Sequence, residues 1–296
     1  MRELLLSQLE KILSAAELNG TDSGGLQQWL YREWFCKAPT EPAATESGSL
    51  LEQLSRANAG RDCWDTGWEI AHVDGSGRVL ARRLEVTRNF WPGQFLTEEG
   101  PELPPRPGMH LRVFFPREST TMQPGFYFAF GSSPDEDFDG ARIVRFYWAI
   151  RSSGAVPLTA SLTASLNRLR VPFRFKTGVD RSTYTRLDAA VLYVQKRYYQ
   201  VTARLLTQVY GEVRDHLVPG VPLFTKELAP GLALAEDPGT GESFGMHRCR
   251  LLAEAMLAEP SGAAAVAAHL ERAGVRADRP YLSAGSADLY EFTGAL

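Results

Sequence analysis

The sequence predicts an α+β fold: a helical N-terminal region followed by a mixed, mainly antiparallel sheet flanked by helices. Apolar residues recur at helical spacing near the N-terminus, as in Leu5, Leu9 and Ile12. From His110 to Gln195 the pattern changes to short runs of aromatic and β-branched residues broken by turn-forming stretches. Helical patterns return afterwards and no internal repeat is present, so the order of elements is that of an α+β chain.

The first helix is expected over about residues 2–18, where Leu4, Leu5, Leu9, Ile12 and Leu13 share a face. Gln8, Glu10 and Lys11 interrupt the apolar run and no small-residue cleavage site follows, unlike a secretory signal. That face serves either the core or a docked partner, and Trp29, Tyr31, Trp34 and Phe35 in the next helix (about 26–36) pose the same choice. A loop rich in Gly, Ser, Pro and Thr (38–49) leads to a helix at about 49–58. Trp68–Val73 and Arg78–Val86 then flank Asp74-Gly75-Ser76-Gly77, a glycine-containing hairpin turn. Pro101, Pro104, Pro105 and Pro107 exclude regular structure from Gly100 to Gly108 and set a boundary between units 1–100 and 108–296.

Beyond it, His110–Phe115, Gly125–Gly131 and Ile143–Ile150 read as an antiparallel meander, the last two separated by the turn SSPDEDFDG. Leu158, Leu162, Leu166 and Leu169 predict a helix over 157–170, opened by Pro157 and crossing back over the sheet. Pro172–Thr177 and Ala189–Gln195 are further strands. Helices follow at about 197–216, with Val201, Leu205, Leu206 and Val209 as the buried stripe, and at 244–257 and 262–272.

Composition bounds the function. A chain of 296 residues that is 44% apolar can bury a large core. Its net charge of −3 conceals a basic middle from Arg142 to Arg214, which suggests an anionic ligand bound locally rather than a nucleic acid coated by the protein. Cys36, Cys63 and Cys249 are odd in number and lack metal-ligand spacing, so a disulfide framework and a zinc knuckle are both unsupported and a reducing cytoplasm is expected. No stretch approaches the roughly 20 apolar residues of a membrane span. Walker-type loops, a strand–GxGxxG–helix unit, HExxH and GxSxG are absent, and PGTGESFG lacks the lysine of a phosphate loop.

Two regions gather charge. Pro222–Met256 places Lys226, Glu236, Asp237, Ser243, His247, Arg248 and Arg250 around a glycine-rich turn that runs into a helix, whose unpaired N–H groups favour an anion. In the strands, alternation puts Arg145 and Tyr147 on one face, and Arg174 and Lys176 on one face. Such strands line a cleft or form a solvated sheet surface. Asp188 can lock the Arg186 guanidinium and leave its other donors for a ligand, or the two form a plain structural pair. Lys176 becomes a base if it is desolvated among other cations. Within the segments singled out, His110 and His247 are the histidines that neighbour arginines, each a packing or surface residue or a general acid.

The succession RFYW (145–148), PFRFK (172–176), YTRLDAAVLYV (184–194), PLFTKELAPGLALAEDP (222–238) and ESFGMHR (242–248) resembles the Hop-A effector family of type III secretion systems. It is more similar still to the Hop-A-like lyases of class V lanthipeptide and thioamitide biosynthesis, over about residues 108–257. The resemblance implies a lyase domain at 108–296. It would remove phosphate from phosphoserine or phosphothreonine of a ribosomal precursor peptide, leaving dehydroalanine or dehydrobutyrine. A separate kinase-like protein would install the phosphate. No metal, cofactor, nucleic acid or membrane is implied, and the N-terminal region would offer a contact for a partner or a leader peptide. By similarity with phosphothreonine lyases, which use a lysine base and a histidine acid, Lys176 is the expected base and His247 the acid, with His110 competing. Arg145, Arg186, Lys226 and Arg248 form the expected phosphate clamp, Tyr184 orients the peptide or bonds the phosphate, and Glu236 and Asp237 order the cations. The rival class is a non-catalytic phosphopeptide scaffold, or an effector-like protein that grips a partner protein.

Overall fold

The computed structural model describes residues 1–16, 22–38, 48–100, 102–133, 143–258 and 262–292. Helices α1 (Arg2–Ala15), α2 (Ser23–Leu30) and α3 (Leu51–Ala57) come first, with a π-helical turn over Tyr31–Phe35 extending α2. Strands β1 (Cys63–Val73), β2 (Val79–Arg83), β3 (Val86–Phe90), β4 (Phe95–Thr97) and β5 (His110–Phe115) form a five-stranded antiparallel sheet in the order β3-β2-β1-β5-β4. The remaining strands form a second antiparallel sheet. They are β6 (Glu118–Ser119), β7 (Phe126–Phe130), β8 (Ile143–Trp148), β9 (Arg174–Gly178), β10 (Ala190–Gln195), β11 (Lys226–Ala229) and β12 (Leu232–Glu236), in the order β11-β12-β8-β10-β9-β7-β6. Helices α4 (Ser152–Arg168), α5 (Tyr199–Val213), α6 (Phe244–Ala258) and α7 (Ala263–Arg272) complete the chain. The α+β class therefore holds.

The large core joins residues from both ends of the chain. Leu5, Leu9 and Ile12 of α1 are buried with Leu26, Leu30 and Phe35, in one cluster with Phe146, Trp148, Phe175 and Leu192 of the large sheet and Val266 and Leu270 of α7. The apolar face of α1 is thus core, whereas Leu4 is exposed. Trp68, Ile70, Val79, Ala81, Phe90, Leu111 and Val113 make a separate small core under the five-stranded sheet. The proline-rich stretch after Gly100 lies inside that sheet, because β4 and β5 on either side of it pair with each other.

Three expectations need correction, and one hairpin was missed. The stretches 110–115, 125–131 and 143–150 are not a meander: β5 belongs to the small sheet, and β10 and β9 lie between β8 and β7. Local patterning sets where strands form but not which strand each one finds. Helix α4 starts at Ser152, so Pro157 sits inside it. Proline there forfeits one intrahelical bond, while the buried residues Leu158, Leu162 and Leu166 anchor the helix on the sheet. Residues 222–238, assigned no element from the sequence, contain the hairpin β11–β12; the turn at Gly231 has φ +78°, and β12 is short and wholly buried rather than alternating. On α5, Val201 is exposed and Tyr199, Leu206, Val209 and Val213 form the inward face. The loop residues 39–47 and most of SSPDEDFDG (134–140) lie outside the described residues. No helix among the described residues is long and apolar enough to cross a membrane.

Candidate active site

Register in the large sheet decides which side chains meet. Tyr147 pairs with Val191, Val191 with Lys176 and Lys176 with Phe128, while Arg145 pairs with Tyr193 and Tyr193 with Arg174. Directly paired residues point to the same side, so Arg145, Tyr147, Val191, Tyr193, Arg174 and Lys176 rise from one face. The alternation read from the sequence is realised across three strands, β8, β10 and β9. Helix α6 and the Tyr31–Phe35 turn close over this face. Gly245 makes that approach possible: a Cβ there would stand 2.5 Å from the Phe35 ring. Between sheet and cover is a cavity of about 230 Å³ lined by Tyr31, Phe35, Phe126, Arg145, Tyr147, Lys176, Arg186, Asp188 and Ser243, among others.

Each arginine in the cavity is held by a carboxylate. Arg186 donates from Nε and Nη2 to the two oxygens of Asp188, both at 2.9 Å, and its Nη2 also lies 3.0 Å from Tyr31 Oη and 3.0 Å from Cys36 Sγ. Tyr31 Oη in turn donates to Asp188 at 3.1 Å. Arg145 donates from Nε to Asp237 Oδ2 at 2.8 Å and from Nη2 to the same oxygen, and its guanidinium lies over the Tyr193 ring. Asp237 is fixed by accepting from the Gly239 N–H at 2.9 Å. Nη1 of each arginine is outside these bonds, so both guanidinium groups are oriented while keeping a donor for an anion.

Lys176 differs. Its Nζ stands 3.8 Å from the centroid of the Phe126 ring, with no hydrogen bond or ion pair to a described residue. Burial removes the ammonium from water and lowers its pKa to about 8; Asp188 opposes that shift, and Arg186 and Arg145 add to it. A partly deprotonated amine beside two fixed cations can take a proton from a weak carbon acid whose anionic substituent the cations hold.

The structure brings together three of the residues expected from the sequence: Lys176, Arg145 and Arg186. The others lie elsewhere or are already engaged. Lys226 pairs with Leu234 and Leu234 with Phe146, so it rises from the opposite face of the sheet; its Nζ donates to Asp288 at 3.0 Å and to the Tyr290 carbonyl at 2.6 Å. Arg248 is buried and donates to the carbonyls of Pro280 and Leu282. Tyr184 Oη donates to the Gly178 carbonyl at 2.7 Å and lies 2.8 Å from Thr177 Oγ1, tying the turn at Arg181–Thr183 to the end of β9. His110 is an exposed residue of the small sheet, beside Glu99. His247 does not line the cavity; its Nδ1 is 2.8 Å from Arg248 Nη1, and burial followed by the charges of Arg248 and Arg250 lowers its pKa to about 4. A ring neutral above that pH has no proton of suitable acidity to give.

Glu236 also faces away from the cavity, accepting from Tyr290 Oη and the Ser283 N–H. Asp237 orders a cation as expected, and that cation is Arg145. The sequence did not assign cavity positions to Tyr31, Phe35, Phe126, Tyr147 and Tyr193. Strand alternation signalled Tyr147, and the aromatic run YREWF marked Tyr31 and Phe35. That run forms a π-turn, a feature frequent at functional sites.

The family model of the HopA1 effector protein family matches residues 117–282. Two solved effector structures share the fold. The effector protein from Pseudomonas syringae pv. tomato strain DC3000 aligns with a TM-score of 0.57 and 15% identity, covering 95% of this chain and 97% of that one. The effector protein from Pseudomonas syringae pv. syringae strain 61 aligns with a TM-score of 0.55 and 14% identity, covering 96% and 99%. No curated protein matches the chain.

Proposed function

This chain belongs to the HopA1 effector protein family, and we propose that it is a lyase acting on phosphoserine or phosphothreonine in a ribosomal precursor peptide, phosphorylated by a separate kinase-like protein. The observation that carries this reading is Lys176: an amine lowered to about pKa 8, without an ion-pair partner among the described residues, in a cavity with two carboxylate-fixed arginines. Arg145 and Arg186 hold the phosphate. Neutral Lys176 takes the Cα proton, the Cα–H electrons form the double bond, and the phosphate leaves from Cβ. Hydrolysis would instead need a water positioned for attack on phosphorus. The sequence resemblance to the Hop-A-like lyases points to the same reaction.

The test is incubation with a peptide carrying phosphoserine or phosphothreonine, followed by mass spectrometry. Loss of phosphoric acid is expected, and the product should add a thiol at the new double bond. Conversion to the plain alcohol would overturn the lyase reading. A second reading is a non-catalytic protein that grips a phosphorylated partner, favoured by the effector names of the family and of both similar structures. Tight retention of an unchanged phosphopeptide is its signature.

A further inference from the structure

Among the buried tyrosines one hydroxyl stands apart. Tyr127 donates to Glu118, Tyr184 to the Gly178 carbonyl, Tyr199 to the Glu291 carbonyl, Tyr281 to Asp288 and Tyr290 to Glu236. Tyr147 is 3% exposed, and its hydroxyl makes no hydrogen bond of good geometry to a described residue, although the Arg145 guanidinium stands near enough to act on it. A buried hydroxyl left unpaired costs free energy that water would otherwise have offset, so its retention calls for a partner. Tyr147 lines the cavity beside Arg145, and a small shift of either side chain would open its hydroxyl, less than 1 Å² accessible, to a partner there.

The ring is held firmly. Phe35 meets it edge-on at 6.2 Å between centroids, and Phe244 lies 6.4 Å away. Below, Tyr147 pairs with Ala233 on one side and Val191 on the other, and Val191 in turn pairs with Lys176. Lys176 and Tyr147 therefore stand on the same face with one strand between them, roughly 10 Å apart at the backbone from the spacing of adjacent strands. The short Val191 side chain forms the floor between their two long ones. A substrate whose Cα is reached from the Lys176 side presents its Cβ substituent toward Tyr147.

Resting on the lyase reading, we propose that the Tyr147 hydroxyl donates a hydrogen bond to the bridging oxygen of the departing phosphate, taking the role that sequence similarity gave to a histidine. The Cα proton goes to Lys176 and its electron pair forms the Cα–Cβ double bond. The Cβ–O bond breaks with its pair on the bridging oxygen. The monoester enters as its dianion, the form that dominates above about pH 6, and departs as phosphate held by Arg145 and Arg186, taking its proton from water on release, while Tyr147 keeps its hydrogen throughout. Burial, reinforced by Tyr193 and Asp188 and opposed by Arg145, holds the phenol above its ordinary pKa, which keeps it a donor.

Tyr147→Phe removes the hydroxyl and leaves the ring. With a phosphoserine peptide, the single-turnover rate should fall about 10²- to 10³-fold, the loss typical of deleting one donor to a developing anion. The dissociation constant, measured by titration under Lys176→Ala to prevent turnover, should change less than threefold when Tyr147→Phe is added to that variant. The melting temperature should stay level or rise, since an unpaired polar atom is removed. Active wild type with an equally active Tyr147→Phe would overturn this assignment alone. So would a variant whose binding falls as much as its rate, or one that melts well below wild type, because the hydroxyl would then serve substrate binding or stability. Wild type that leaves the phosphopeptide intact would overturn the elimination itself, and this assignment with it.

Discussion

Lys176 on β9 and Lys226 on β11 belong to one sheet, and both are partly buried. Lys226 Nζ reaches both oxygens of Asp288 and the Tyr290 carbonyl, so its charge is matched and its donors are used. Lys176 meets an aromatic ring and two cations, with Asp188 as the compensating charge, and its pKa falls to about 8. The same contrast separates their neighbourhoods. Around Lys226 the segment 222–256 spends Arg248 on carbonyls and Arg250 on Glu242 and Glu254. Around Lys176 the arginines are locked by carboxylates yet keep Nη1 outside those bonds. Cation density alone does not mark a site; what marks it is burial with bonding capacity left over.

The largest effect should come from removing the unpaired amine. Lys176→Ala is expected to lower turnover about 10³-fold, within the range for loss of a general base, with phosphopeptide binding retained. In the wild type, kcat/KM should rise tenfold per pH unit below about 8 and level off above it, because the reactive form is the neutral amine and protonation removes it. A pH profile flat from 6 to 9, or an active Lys176→Ala, would erase the distinction between the two lysines.

Next comes the arginine pair that orders the cavity. Arg145→Ala leaves the Asp237 carboxylate, about one-tenth exposed, without its counter-charge, and breaking a buried pair from one side costs about 3 kcal/mol or more. Urea unfolding should show that loss, and calorimetric titration should show weaker phosphopeptide binding. Arg145→Lys, which keeps the charge but loses the two-donor fork, should fall between. If Arg145→Ala unfolds like the wild type, the carboxylate lock is not a structural element and the contrast with the surroundings of Lys226 weakens.

Much of this fold was legible in local patterning. The first helix, the hairpin about Asp74–Gly77, β5, β10 and the last two helices all follow from periodicity and turn chemistry. Strand partners were not legible, because β8 pairs with β10 and β12, and nothing in residues 143–148 names either. That is also why the site was half read. Alternation within a strand put Arg145 with Tyr147 and Arg174 with Lys176, and the two-residue spacing put Arg186 with Asp188. The sidedness of Lys226 depends on register passed from β8 through β12 to β11, and the partner of Arg248 is a carbonyl more than thirty residues away. Glycine-rich sequence before α6 suggested an anion-binding helix start; instead Ser243 Oγ accepts from the Met246 N–H and caps it.

The smallest effect tests the other side of the contrast. Lys226→Met removes a charge from a site where all the partners belong to the C-terminal segment. Asp288 keeps the Tyr281 hydroxyl and the Tyr290 N–H, so it is not left bare. With both side chains of the ion pair about one-fifth exposed, the loss should be about 1–2 kcal/mol, between a surface pair and a hydrogen bond to a buried charge. Turnover and phosphopeptide affinity should stay within twofold of wild type, because β11 carries this side chain on the face opposite Arg145 and Tyr147. A Lys226→Met protein that melts normally but loses phosphopeptide binding would show that Lys226 reaches the substrate after all, and Lys176, Arg145 and Arg186 would no longer account for the cations that face the phosphate.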